Sequence, residues 1–207
     1  MINKPLKKVI NCGVVILSAG KSNRMKYPKP WLKYDDKFTF LSKIVDTYVK
    51  FGCNSCIVVL NKSNSSSEWH ANIRVLPNKV NIVINDQLQH ERYYSVRLGI
   101  KILQDPKHCF IHNVDNPFID IDTLNKIYAE RIASGYVSPT YDKTGGHPVL
   151  IGKKIISHIL HSKENSMNFR DVLKPYLCKK LKMSNDIVLR NINTTEEYRH
   201  YFEQNLP

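Results

Sequence analysis

Four cations follow a small-residue turn near the start of the chain. Lys21, Arg24, Lys26 and Lys29 come after Ser18-Ala19-Gly20, which closes the apolar run Val14–Leu17. Small residues let backbone N–H groups approach an anion, and the cations neutralise it. A hydrophobic strand that empties into such a loop reads as a phosphate cradle. It is not the dinucleotide fingerprint, because the second and third glycines are absent. It is not a P-loop either, because Val15 stands five residues before Gly20 where that motif needs Gly. Phosphate chemistry also needs a metal. Asp115 ends the apolar run Cys109–Val114 and is followed by Asn116-Pro117-Phe118. A carboxylate there can be a helix cap or a metal ligand. The next helix has its own cap candidates, Asp120 and Asp122, which frees Asp115 for the second role. Magnesium takes oxygen ligands and often only one or two from the protein.

The loop resembles the nucleotidyltransferase signature L-A-A-G-x-S-x-R-M-G-x-x-K, matched at Leu17, Ala19, Gly20, Ser22, Arg24, Met25 and Lys29. Lys26 stands at the signature's Gly. Further segments follow in the family's order. Asn85–Ser95 resembles N-P-x-x-x-x-G-x-x-x-S, with Glu91 in place of Gly. Val114–Phe118 resembles (V/G)-D-x-P, and Gly146–Leu150 resembles G-H-P-V-L. Asn168–Leu173 resembles a G-x-R-x-L-L helix without its Gly. Asn191–Tyr198 resembles D-I-D-T-P-E-D-Y, with Asn193 at the second Asp. The resemblance is to the MobA/MocA-like nucleotidyltransferases, the molybdenum cofactor cytidylyltransferase type, of the nucleotide-diphospho-sugar transferase fold.

That resemblance implies roles. Leu17, Ser18, Ala19, Gly20, Lys21 and Ser22, with Asn85 and Ser95, would bind the nucleotide. Arg24, Lys29 and Asp115 would carry catalysis, and Asp115 with Asn193 would hold Mg2+. Gly146, His147 and Arg170 would face the acceptor. The implied reaction moves a nucleoside monophosphate to a phosphorylated acceptor and releases pyrophosphate. Ser18-Ala19-Gly20 and Pro28-Lys29 fall on the CTP-using side of the family rather than its L-A-G-G, GTP-using side. Molybdopterin is the implied acceptor, and a sugar phosphate or phosphocholine would serve the same chemistry. Asn193 also reads as a simple lead into a capped helix, and Arg92 or Arg97 as an anion contact or a solvated charge. The departures at Lys26, Glu91, Asn191 and Asn193 leave open a nucleotide-binding protein without catalysis.

These residues need a scaffold. Short β-branched runs at Val9–Leu17, Cys56–Leu60, Val80–Ile84 and Cys109–Val114 predict buried strands. Phe40–Phe51 has helical spacing and meets Gly52 at its end. Tyr94–Leu103, Ile121–Ser134, Lys153–Leu160 and Asn168–Tyr176 read as further helices, with Gly135 ending the second of them. Asn61–Glu68, rich in Ser and Asn, reads as a surface loop. Tyr136–Pro139 and Pro148–Ile151 read as strands around a turn at Gly145-Gly146, and Asp186–Arg190 as a last strand. Thr194–Glu197 is a capping box. Alternating strands and helices predict an α/β fold, a Rossmann-like three-layer α/β/α sandwich on a mostly parallel sheet. Ligands in such sheets sit at the carboxyl ends of the strands. One nucleotidyltransferase domain over 1–207 is expected, as a monomer or homodimer.

With 31 Lys and Arg against 18 Asp and Glu, the formal charge is +13. Such a surface attracts anions of any kind. No nucleic-acid motif accompanies the charge, so a nucleic-acid partner is not expected. No apolar run approaches the roughly 18 residues of a membrane span. The apolar run after Lys4, Lys7 and Lys8 merges with the phosphate loop, which argues against a cleaved leader. Five cysteines in no regular framework fit a reduced, cytoplasmic protein. Cys53 and Cys56 form a C-x-x-C without a second pair, which argues for buried thiols rather than a zinc site.

Overall fold

The computed structural model describes residues 10–22 and 24–203. Strand β1, Ile10–Ser18, is buried from Cys12 onward. It pairs in parallel with β2, Cys53–Asn61, on one side and with β4, His108–Asn113, on the other. Beyond β2 lies β3, Val80–Asn85, again parallel. Expected first residue Val9 lies outside the described residues. The rest of the sheet changes direction: β7, Val149–Gly152, is antiparallel to both β4 and β5, Gly135–Tyr141. Short β6, Thr144–Gly145, folds back on β5, and β8, Leu177–Lys182, runs parallel to β5.

Alternation along β1 sorts its side chains into two cores. Val14 and Ile16 meet α1, Phe40–Phe51, together with α4, Ile121–Ala129, and α7, Thr195–Phe202. Val15 and Leu17 meet α3, Arg92–Ile102, α5, Lys153–His161, and α6, Phe169–Leu173. The three-layer expectation holds. Helix α3 lies so close to β1 that a Cβ on Gly99 would fall 2.4 Å from Val15 Cγ1. A single-turn helix α2, His70–Arg74, lies between β2 and β3. Helix α1 opens on a Thr39–Ser42 capping box and closes on Gly52 at φ 103°. Of the two cap candidates for α4, Asp120 does the capping, accepting the Thr123 N–H at 2.7 Å. No helix among the described residues is long and apolar enough to cross a membrane.

Four expectations need correction. Helix α4 ends at Ala129, and Gly135 opens β5 instead of closing the helix. A Cβ there would lie 2.2 Å from the Leu177 carbonyl oxygen, so close β5–β8 pairing requires Gly. The expected Asn168–Tyr176 helix stops at Leu173. The hairpin turns at Asp142 and Lys143, with φ 44° and 65°, and not at Gly145-Gly146. Two consecutive left-handed residues match the right-handed twist of paired strands. Asp186–Arg190 is a turn, while the last strand is β8, a lysine-rich edge whose pattern of LCKKLK lacks a buried apolar face.

Candidate active site

Register brings the carboxyl ends of four strands together. Ser18 pairs with Leu60, Leu17 with Asn113, and Asn61 with Asn85. A cleft of about 640 Å³ opens over these ends. It is lined by Leu17, Ser18, Ala19, Gly20, Lys21, Ser22, Arg24, Lys29, Asn85, Arg92, Ser95, Asp115 and Asn193. Every residue assigned to nucleotide, catalysis or metal by sequence therefore reaches one cleft. A second hollow, of about 710 Å³, adjoins it across Lys21 and Ser22 and touches Tyr27, Asn61 and Asn64.

The loop after β1 is held from behind. Asn61 Nδ2 donates to the carbonyls of Ala19 at 3.0 Å and Gly20 at 3.2 Å, and Asn64 Nδ2 donates to Ser18 at 2.9 Å. In a trans peptide the N–H points opposite to the carbonyl. Tying back these three carbonyls turns the N–H groups of Ala19, Gly20 and Lys21 the other way, as an anion cradle needs. Asn64 is itself fixed: its N–H donates to Asn61 Oδ1 at 2.7 Å, and its carbonyl accepts from Trp31 Nε1 at 3.0 Å. The expected surface loop thus contains two buried anchors. Their signal in the sequence was only Asn at the end of a strand. Further on, Ser22 at φ 51° accepts at its carbonyl from Met25 N and at Oγ from Lys29 N. Lys26 has φ 55°. That left-handed backbone explains why the signature carries Gly there. Glu91, the other residue at a signature Gly, has φ −62° and needs no glycine.

Lys29 joins the two ends of the chain. Its Nζ lies 2.8 Å from Asn193 Oδ1 and 3.8 Å from Asp115 Oδ2. The backbone also brings these partners together, since Ile192 N donates to the Asp115 carbonyl at 2.8 Å. Burial pulls the Lys29 ammonium below its ordinary value, against the upward pull of Asp115. Burial pushes the Asp115 carboxyl up, against Lys29 and Arg92. Asp115 Oδ1 is buried and has no hydrogen-bond partner among the described residues. A carboxylate with a bare oxygen and an amide oxygen thus already share one cation. Hard oxygen donors of this kind fit a divalent cation such as magnesium or manganese, with phosphate and water completing its shell. Among the described residues no three His, Cys, Asp or Glu side chains gather into an all-protein cage. The five cysteines are free thiols.

Asn85 and Ser95 form one unit: Asn85 Nδ2 donates to Ser95 Oγ at 2.9 Å, and Asn85 Oδ1 accepts from Gln87 N at 2.8 Å. This pair spans the polar segment between β3 and α3. Gly146, His147 and Arg170 stand apart from the cleft lining. Gly146 is structural, since a Cβ would lie 2.4 Å from the Val188 carbonyl oxygen. His147 N donates to that same oxygen at 2.9 Å, and its ring Nδ1 is buried and unpartnered among the described residues. Burial first, then Arg92, His112 and Arg170, hold this imidazole neutral down to about pH 3. Arg97 is no cleft residue: it ties α3 to Glu164 and Asn165.

His112, which carried no signal in the sequence, fixes the turn that bears Asp115. Its Nε2–H donates to the Asn116 carbonyl at 2.8 Å, and its Nδ1 accepts from Tyr48 OH at 2.8 Å. A carbonyl can only accept, so the tautomer is determined. Asn116 Nδ2 in turn donates to Ile187 O at 3.1 Å, linking the turn to the segment that ends in Asn193.

An α/β sheet with an anion-cradling loop and a cation-bridged carboxylate at the carboxyl ends of its strands fits a protein that handles phosphorylated nucleotides. The chain belongs to the MobA-like NTP transferase domain family, whose model matches residues 14–181, and is a nucleotidyltransferase. It is 25% identical over 192 residues to the molybdenum cofactor cytidylyltransferase of Escherichia coli K12, covering 91% of this chain and 93% of that one. Among solved structures it resembles Rv0371c from Mycobacterium tuberculosis H37Rv, with TM-score 0.77 and 20% identity over 96% of this chain and 100% of that one. A manganese complex of Rv0371c matches with TM-score 0.73 and 18% identity, over 95% of this chain and 100% of that one. A nucleotidyl transferase from Methanothermobacter matches with TM-score 0.75 and 18% identity, over 93% and 96%.

Proposed function

We propose that the chain transfers a cytidylyl group from CTP to the phosphate of a molybdopterin-type acceptor and releases pyrophosphate, in the cytoplasm, as a monomer or homodimer. The observation that carries this reading is Lys29 set between Asn193 and Asp115 at the open side of the Gly20 loop. Leu17, Ser18, Ala19, Gly20 and Ser22 seat the nucleotide, with Asn85 and Ser95 on its far side. Lys21, Arg24 and Lys29 neutralise the triphosphate. Asp115 and Asn193 would hold Mg2+, which would supply positive charge to offset that of the phosphates. His147 and Arg170 face the acceptor, on a segment that Gly146 allows to pack closely. An acceptor phosphate oxygen forms the new bond to the α-phosphorus, and the bond from that phosphorus to the β-phosphate oxygen breaks. Its electron pair leaves with pyrophosphate. The nucleophile is already an anion, so no strong base is needed, and positioning with charge neutralisation supplies the rate.

CTP is favoured by Ser18-Ala19-Gly20 ahead of Lys21, and by the cytidylyltransferase relative. The test is pyrophosphate release from CTP or GTP with magnesium, against molybdopterin, a sugar 1-phosphate and phosphocholine. Release with CTP and molybdopterin is expected. Release with GTP alone, or with another acceptor alone, overturns the assignment of that substrate.

A further inference from the structure

Arg92 has no part in the scheme above, yet it enters the same cleft from the first turn of α3. Its guanidinium carbon lies 5.9 Å from the centre of the Phe169 ring, the residue next to Arg170. Among the described residues neither guanidinium is held by a hydrogen bond or an ion pair. Beside them sits His147, neutral and with Nδ1 bare. The cations in and beside the cleft fall into two sets that share Asp115. Lys29 has Arg24 and Asp115 as its charged neighbours, along with Glu197. Arg92 has Asp115 and Arg170. If Lys29 balances Asp115, the second flank keeps two uncompensated positive charges around a neutral imidazole. Both arginines are exposed, so an anion has open access to the pair. Two planar guanidiniums suit the oxygens of a phosphate, and an aromatic ring against one of them fixes its plane.

We infer that Arg92 and Arg170 form a two-arginine clamp for a dianionic phosphate monoester on the acceptor, with Arg92 setting the preference for two negative charges over one. This rests on the proposed transfer and adds to it the residue that selects the acceptor's charge. His147 supplies a neutral hydrogen-bond partner to the same group, and Phe169 supports Arg92.

Titration calorimetry on the full chain, with the donor side saturated by a non-hydrolysable CTP analogue and magnesium, tests the clamp with phenyl phosphate and phenyl sulfate. The wild type binds the dianionic phosphate more tightly than the monoanionic sulfate. Arg92→Met weakens phenyl phosphate by about tenfold, the loss of one charge-assisted contact, and shrinks that preference. Its affinity for the CTP analogue stays within about twofold, which also shows that it folds. Arg92→Lys restores only part, because an ammonium lacks the planar fork. Equal weakening of nucleotide and phenyl phosphate would make Arg92 a donor-side residue and overturn the clamp, as would unchanged phenyl phosphate binding. Intact discrimination without pyrophosphate release from any acceptor would instead sink the transfer reading and leave the clamp standing.

Discussion

Lys29 and Asn193, separated by 164 positions, are joined by a 2.8 Å hydrogen bond from Nζ to Oδ1. The family pattern has Asp where Asn193 stands, so under the proposed function the cation would be met by one full charge, Asp115, rather than two. Affinity for a hard cation follows ligand charge. Asn193→Asp should lower the magnesium concentration for half-maximal activity by about tenfold, and Asn193→Ala should raise it by about as much. A magnesium titration of pyrophosphate release measures both. If neither substitution moves the midpoint, Asn193 is no ligand.

Lys26 offers a stability prediction without chemistry. A left-handed backbone costs an L-residue roughly 1–2 kcal/mol, and Gly avoids this while losing more chain entropy on folding. At φ 55°, Lys26→Gly should stabilise the fold by up to about 1 kcal/mol. Urea unfolding would show the gain as a higher midpoint at unchanged slope. A lower midpoint would mean that the lysine side chain contributes more than its backbone costs.

The anchors behind the phosphate loop should matter to both folding and binding. Asn64→Ala leaves the Ser18 carbonyl without its donor, and an unsatisfied buried group costs about 1–3 kcal/mol. Nucleotide affinity should fall by about tenfold as the cradle loosens. Calorimetric binding of CTP, beside a melting curve, separates the two effects. Lost stability with full affinity would show that the loop holds its shape without Asn64.

His112 predicts an acid limb of stability. Burial holds its ring neutral down to about pH 4, whereas the unfolded chain protonates near 6.5. Between those values the unfolded state binds a proton that the native state does not, so stability rises with pH. The contribution is complete above about pH 6.5 and is lost as pH falls through about 4, some 3 kcal/mol in all. His112→Gln should reduce the slope of unfolding free energy against pH by about one proton across that window. An unchanged slope would place the titration elsewhere.

Much of this arrangement is legible in the sequence where apolar runs and small residues dictate it. Val14–Gly20 could be read as strand and cradle because β-branched residues give way abruptly to Ser, Ala and Gly. Asp115 could be singled out because the next helix carries its own cap at Asp120. Residues that act through polar contacts were not legible. Asn61 and Asn64 sit in a Ser- and Asn-rich stretch typical of solvent, and are buried because they satisfy the three carbonyls of Ser18, Ala19 and Gly20 at the end of β1. Edge strand β8 hides for the opposite reason: its lysines face water, so neither a period of two nor an apolar run marks it. Asp186–Arg190 misleads because Val188 is buried by Gly146 and His147, not by strand neighbours.

The most direct test of the whole account is transfer of label from α-phosphate-labelled CTP to molybdopterin by the wild type and by Asp115→Ala. The account predicts a labelled nucleotide-diphosphate product and equimolar pyrophosphate from the wild type. It predicts loss of at least about a thousandfold in rate from Asp115→Ala, with CTP still bound through Lys21, Arg24 and the Gly20 loop. Transfer at an undiminished rate by Asp115→Ala would contradict it, because the carboxylate paired with Lys29 would then have no part in the chemistry.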